Sequence, residues 1–216
     1  MSSASAARRP FEVRHLQIAR AIVAAIAAAM ITFSTDHSAA LGLSVFSGFA
    51  ILSAFIMIAA AWIVYPSGRR GRIVLLGAID LVAGMVAGVA TLRTDTTFFV
   101  LIAVWAVLIG LVEGIIGLRD RRADAASTRS EARDAIFIGA LGIVLAIALL
   151  CVPAGYALNY TIAEAHKSFT LTGITIGVGI FGAYAAIVAV YLGIAGFSPR
   201  KDAVAAVSDE QSGGAA

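Results

Sequence analysis

Three ionisable residues interrupt otherwise apolar stretches of the chain: Arg20, Asp80 and Glu113. An ionised residue at the middle of a membrane helix costs about 2.5–3.5 kcal/mol on a translocon scale. Such residues are therefore expected to face neighbouring helices or a water-filled cavity. Counted from the nearer span end, Arg20 lies four residues in, Asp80 seven and Glu113 five. At a rise of about 1.5 Å per residue, all three share roughly one level. Two carboxyls and an arginine at one depth are the parts of a buried ion pair or of a proton-accepting site. Two close carboxylates in a low dielectric cannot both carry charge cheaply, and Arg20 can supply the counter-charge.

Helical phase adds direction. Gly77, Asp80, Gly84 and Gly88 fall on one stripe of a helix, and Ala106, Gly110, Glu113 and Gly117 fall on one stripe of the next. Small residues let membrane helices approach closely, so Gly77, Gly84, Gly88, Gly110 and Gly117 are expected to pack helices. Because the two helices are joined by a short turn, the two stripes are expected to meet. Simpler uses compete with this reading. Arg20 is near enough to an interface to snorkel, and Glu113 can pair near Arg119. Asp80 is shorter and deeper, and a polar contact between helices is its expected use.

Other chemistry finds little support. No span contains a histidine: His15 lies at a span edge, and His37 and His166 lie in loops. The single cysteine, Cys151, offers no CxxC or zinc spacing and reads as a small buried hydrophobe. There is no P-loop, nucleophile elbow or HExxH. No catalytic, cofactor or metal residue is assigned. The Arg119–Arg133 loop interleaves Asp120, Asp124 and Glu131, which suits anionic lipid headgroups and not nucleic acid.

The elements that hold these residues follow from composition. Hydrophobic residues make up 60% of the 216 and charged residues 13%, with a mean hydropathy of +0.94. Soluble domains carry about a quarter charged residues, so a water-soluble globule and a disordered chain are excluded. Six runs are long enough to cross about 30 Å of hydrocarbon as helices: 16–33, 39–64, 73–92, 98–118, 135–156 and 169–197. None alternates as barrel strands would. The expected fold is an all-α membrane bundle, with residues 14–199 as the membrane domain. Residues 1–13 and 200–216, rich in Ala, Ser and Gly, are expected to be cytoplasmic tails, the second one disordered.

Basic residues set the orientation. One side carries Arg8, Arg9, Arg14, Arg69, Arg70, Arg72, Arg119, Arg121, Arg122, Arg129, Arg133, Arg200 and Lys201; the other carries Arg93 and Lys167. Both termini are therefore expected in the cytoplasm, as an even number of spans requires. The first apolar run exceeds a signal-peptide core and is expected to remain as a span. Arginine outnumbers lysine 14 to 2, a bias typical of a GC-rich bacterial genome, and a bacterial inner membrane is the expected location. The net charge of +3 comes from the loop arginines.

A weak repeat runs at an offset of 59. It aligns Thr35-Asp36 with Thr94-Asp95, Leu43 with Ile102, Phe46 with Trp105 and Leu52 with Leu111. With short loops after the first and third spans, it predicts three helical hairpins, over about 16–64, 73–118 and 135–197. A contact inside the bundle is the expected use of Gly173-x-x-x-Gly177, with a homo-oligomer contact as the alternative.

The segment Leu75-Leu76-Gly77-Ala78-Ile79-Asp80-Leu81-Val82-Ala83-Gly84, followed by Leu101–Gly114 and Leu118-Arg119, resembles the repeat of HdeD-like acid-resistance membrane proteins. The resemblance is clear over Arg72–Arg122, weaker over Arg14–Tyr65 and thin beyond Ala135. Thr94-Asp95 stands where that family often has a proline. The resemblance implies six spans built from repeated hairpins and a non-enzymatic role in acid or envelope-stress tolerance. The residues themselves leave a second function open: a small proton-coupled transporter using Asp80 and Glu113.

Overall fold

The computed structural model describes residues 12–122, 126–153, 155–162 and 167–198. The expected tails, apart from Glu12 and Val13, lie outside the described residues, as do Asp124 and His166. Six helices make up the body: α1 Val13–Phe33, α2 Ala39–Ile63, α3 Ser67–Gly88, α4 Asp95–Asp120, α5 Ala126–Leu150 and α6 Gly173–Phe197. Each is long and apolar enough to cross a membrane, as a multi-pass membrane protein requires.

Local chemistry sets the helix starts. Ser38, Thr94 and Thr172 cap α2, α4 and α6, each side chain accepting a backbone N–H three residues on. Pro66 precedes α3, where its missing donor costs nothing. Several expected boundaries move: α3 runs Ser67–Gly88 where 73–92 is expected, α5 ends at Leu150 instead of 156, and the starts of α5 and α6 shift as well. Helix α5 begins at Ala126, nine residues before the expected Ala135, because Arg129, Glu131 and Arg133 form helix about as readily as Leu does. Hydropathy marks where the chain becomes apolar and not where the helix begins. Helix α6 begins at Gly173 instead of Phe169. The preceding loop holds an antiparallel strand pair, β1 Ala157–Ile162 with β2 Lys167–Thr172, registered from Ala157↔Thr172 to Ile162↔Lys167. Threonine, tyrosine and aliphatic residues favour strands there, so the expected all-α fold gains one hairpin outside the bundle.

The helices close into a ring in chain order, with α6 returning to α1. The closest seams are α4–α5, α2–α3 and α1–α6; the seams within the three expected hairpins are thinner. Glycines explain the difference. A Cβ at Gly117 would lie 2.6 Å from the Ala132 carbonyl oxygen, and one at Gly139 would lie 2.7 Å from that of Gly110. Only glycine permits such backbone contact between α4 and α5. Gly77, Gly84 and Gly88 likewise face Ile58, Ile51 and Ser47 of α2, where Ser47 Oγ donates to the Gly84 carbonyl at 2.7 Å. The glycine stripes of α3 and α4, which the short turn between them predicts to meet, therefore do not; each packs on its other neighbour. Gly177 sits against Phe98 and Phe99, inside the bundle.

The repeat places equivalent residues in equivalent surroundings. Leu43 and Ile102 are fully buried, and Phe46 and Trp105 follow one turn later; on α6, outside that repeat, Val178 and Phe181 are buried at the same spacing. Leu52 and Leu111 are both half exposed. Phe46 meets Trp105 at 5.0 Å and Phe181 at 5.6 Å between ring centres, both edge to face. Phe49 meets the same two rings at 5.9 Å. Each such pair contributes about 0.5–1.5 kcal/mol beyond burial. The aromatic cluster thus joins α2, α4 and α6 across the ring and fills its centre. Cys151, expected to be buried, is exposed: α5 ends at Leu150, and the chain turns out of the bundle at that point.

Candidate functional site

The polar residues gather on one side of the aromatic cluster, toward the end of the ring that carries Arg69, Arg72 and Asp120. Arg20 is seven residues into α1, about 10 Å along it, and Glu113 is seven residues from the far end of α4. Their side chains meet: Arg20 Nη2 donates to Glu113 Oε1 at 2.8 Å. Glu113 is only 3% exposed. Snorkelling and the Arg119 partnership are therefore not the arrangement adopted. Asp80, 6% exposed, lies deeper on α3 and accepts from Trp105 Nε1 at 2.8 Å. Arg20, Asp80, Trp105, Glu113, Ser53 and Tyr184 line one small cavity of about 20 Å³. Measured as room for water centres, about 10–15 Å³ holds one water molecule.

A second cavity, of about 80 Å³, shares Arg20 and Glu113 and runs toward the arginine-bearing end. Its wall includes Gln17, Tyr65, Arg69, Arg72, Asp120, Glu131 and Asp134. At its rim Asp120 takes both α3 arginines, Arg69 through Oδ2 and Arg72 through Oδ1, each at 2.8 Å. Arg69 also approaches Glu131 at 3.3 Å and lies over the Tyr65 ring. These bonds tie the near ends of α3, α4 and α5 together. Asp120 and Glu131, expected in a loop facing headgroups, instead hold arginines. Beside them Asp134, 8% exposed, accepts from Gln17 Nε2 at 2.7 Å and from the Tyr191 hydroxyl at 3.0 Å.

Sequence reasoning thus finds Arg20, Asp80 and Glu113, which the structure brings to one pair of adjoining cavities. It assigns Gly77, Gly84, Gly88, Gly110 and Gly117 to packing, which sets the helix spacing around the site. It misses Gln17, Trp105, Asp134 and Tyr191. Trp105 was visible as the partner of Phe46 in the repeat, but the repeat does not show that its N–H turns to Asp80. Asp134 was hidden by the late start assigned to the fifth span. Among the described residues no three His, Cys, Asp or Glu side chains are grouped as a metal site. A wider groove of about 350 Å³ runs along the outer α3–α4 seam, lined by residues such as Val82, Val104 and Leu108; its apolar lining suits contact with lipid.

Fold and site together define a polytopic helical membrane protein with a polar interior at one end and an aromatic seal behind it. No protein-family model, curated protein or solved structure matches the chain.

Proposed function

We propose that this chain is a non-enzymatic bacterial inner-membrane protein, HdeD-like in character, that supports acid or envelope-stress tolerance. In this reading both termini and the arginine-bearing end face the cytoplasm, with the arginines of that end against anionic headgroups. The observation that carries it is the Arg20–Glu113 pair, 2.8 Å apart at the inner end of a cavity running toward that end. A buried ion pair contributes little to stability for its own sake, since desolvation offsets much of its attraction. Its presence at the base of a cavity supports a role in sensing or buffering charge. Deleting the gene should lower survival at low pH, and wild-type protein should restore it while Glu113→Gln does not. Equal survival of the deletion strain rejects the role.

The second reading is a small proton-coupled transporter. It is favoured by the cavities that join Asp80 and Glu113 to one end of the ring while aromatic rings fill the centre. That is the form of one state of an alternating-access cycle. In proteoliposomes Asp80→Asn and Glu113→Gln should each abolish a pH-driven flux. Absence of any flux in the wild type rejects this reading.

A further inference from the structure

We propose that the inner end of the larger cavity binds a small hydrogen-bond-donating cation of the ammonium class, held by Gln17 Oε1 and Glu113 Oε2. The inference uses the same cavity as the proposed function but not its physiology.

Charge comes first. The two cavities are lined by five carboxyls, Asp80, Glu113, Asp120, Glu131 and Asp134, and by three arginines, Arg20, Arg69 and Arg72. At the rim Arg69 and Arg72 are taken up by Asp120 and Glu131. Arg20 pairs with Glu113, while Asp80 and Asp134 are hydrogen-bonded by neutral donors, and all three carboxyls are buried. A buried carboxyl beyond the one that Arg20 pairs is neutralised either by a proton or by a cation, and the cavity gives a small cation room beside Glu113.

Hydrogen bonding points to the same place. Among the described residues, Gln17 Oε1 and Glu113 Oε2 are buried acceptors that no protein group donates to. Both belong to side chains that line the cavity and are more than nine-tenths buried. The amide cannot correct this by turning over, because Gln17 Nε2 is committed to Asp134 at 2.7 Å. Reversal would set two oxygens against each other. Both acceptors need a donor from the cavity, since an unmet buried acceptor costs about 1–3 kcal/mol; a donating cation also answers the acidic lining, which water does not.

Size and donor number select the ion. The cavity of about 80 Å³ accommodates several water-sized groups. Ammonium is about as large as water and donates four hydrogen bonds, two to these oxygens and the others to water. An alkali ion needs a fuller cage of oxygens, and tetramethylammonium has no N–H to donate.

The test is thermal unfolding of the purified full-length chain in lipid nanodiscs, at constant ionic strength, in ammonium, potassium or tetramethylammonium chloride. At saturation, ammonium should raise the midpoint by roughly 5 °C over both other salts. Gln17→Met and Glu113→Gln should each remove that increment. Equal midpoints in ammonium and tetramethylammonium overturn the proposal, as does potassium matching ammonium. An increment that survives in both variants also overturns it. The wild-type salt series decides even where a variant does not fold. Ammonium binding without an acid phenotype would reject only the proposed function; an acid phenotype without ammonium binding would reject only this site.

Discussion

Glu113 and Asp134 lie on adjacent helices, both buried and both lining the same cavity, yet the fold answers them differently. Glu113 is met by a charge, Arg20, on α1. Asp134 is met by two neutral donors, the Gln17 amide on α1 and the Tyr191 hydroxyl on α6. The Glu113 solution couples two ions, so loss of either strands the other in a low dielectric. The Asp134 solution spreads one acid over two helices, so each donor carries only part of the load. A membrane interior raises the stakes, because no lipid atom can take over a lost partner.

The largest effect should come from the charged pair. Arg20→Met leaves Glu113 buried without its cation and should destabilise the protein by about 3–5 kcal/mol. Adding Glu113→Met to the same chain should recover most of that loss, since two apolar side chains replace two ions. Unfolding in mixed bicelles would measure both. A double variant as unstable as the single one would show that Arg20 acts by packing its stem and not by its charge.

The neutral solution should yield less. Gln17→Met removes one donor from Asp134 and leaves Tyr191 in place, so a cost of about 1.5–3 kcal/mol is expected. The same bicelle measurement applies. A loss equal to that of Arg20→Met would erase the distinction between the two acids.

How much of this was readable beforehand depends on what each signal encodes. A charge inside an apolar run is conspicuous, so Arg20, Asp80 and Glu113 stood out and two of them form the pair. Asp134 did not, because a hydropathy window marks where the chain becomes apolar and not where the α5 helix begins at Ala126. Helical phase placed Gly77, Gly84, Gly110 and Gly117 on packing faces, but phase gives a direction on one helix and not the identity of the neighbour. The short turn suggested that α3 and α4 would bring their glycines together, whereas α2 and α5 are the helices they meet. The offset of 59 did carry tertiary information: Phe46 and Trp105 meet at the centre of the ring. The strand pair was obscured because Phe169 and Leu171 extend the apolar run that leads into α6.

The seam between the two acids offers a sharper comparison within one helix. Gly117 lies one turn from Glu113 and admits the α5 backbone beside Asp134, with the Ala132 oxygen 2.6 Å from where a Cβ would sit. Backbone cannot swing aside as a side chain can, so Gly117→Ala should cost about 1–3 kcal/mol by overpacking. Gly114 is also on α4, but a Cβ there meets nothing within 4 Å. Gly114→Ala should be neutral, or should stabilise by up to about 1 kcal/mol through helix propensity. Similar losses at both positions would mean that α4 and α5 are not held together by backbone contact at Gly117.

The smallest effect should be at Tyr191. Its hydroxyl donates to Asp134 Oδ1 at 3.0 Å, while its ring stacks on Phe137 with centres 3.9 Å apart. Tyr191→Phe keeps the ring and its stacking and removes one hydrogen bond from a part-buried site, where water can take the vacated place. About 0.5–1.5 kcal/mol is expected, with Gln17 still holding the other oxygen of Asp134. The decisive reading is the combination: if the two donors share one acid, Gln17→Met and Tyr191→Phe together should cost more than the sum of their separate losses. The second loss then leaves Asp134 with neither donor, where each single change had left one. Strict additivity would instead mean that Asp134 draws its stability from elsewhere, and the contrast with Glu113 would lose its physical basis.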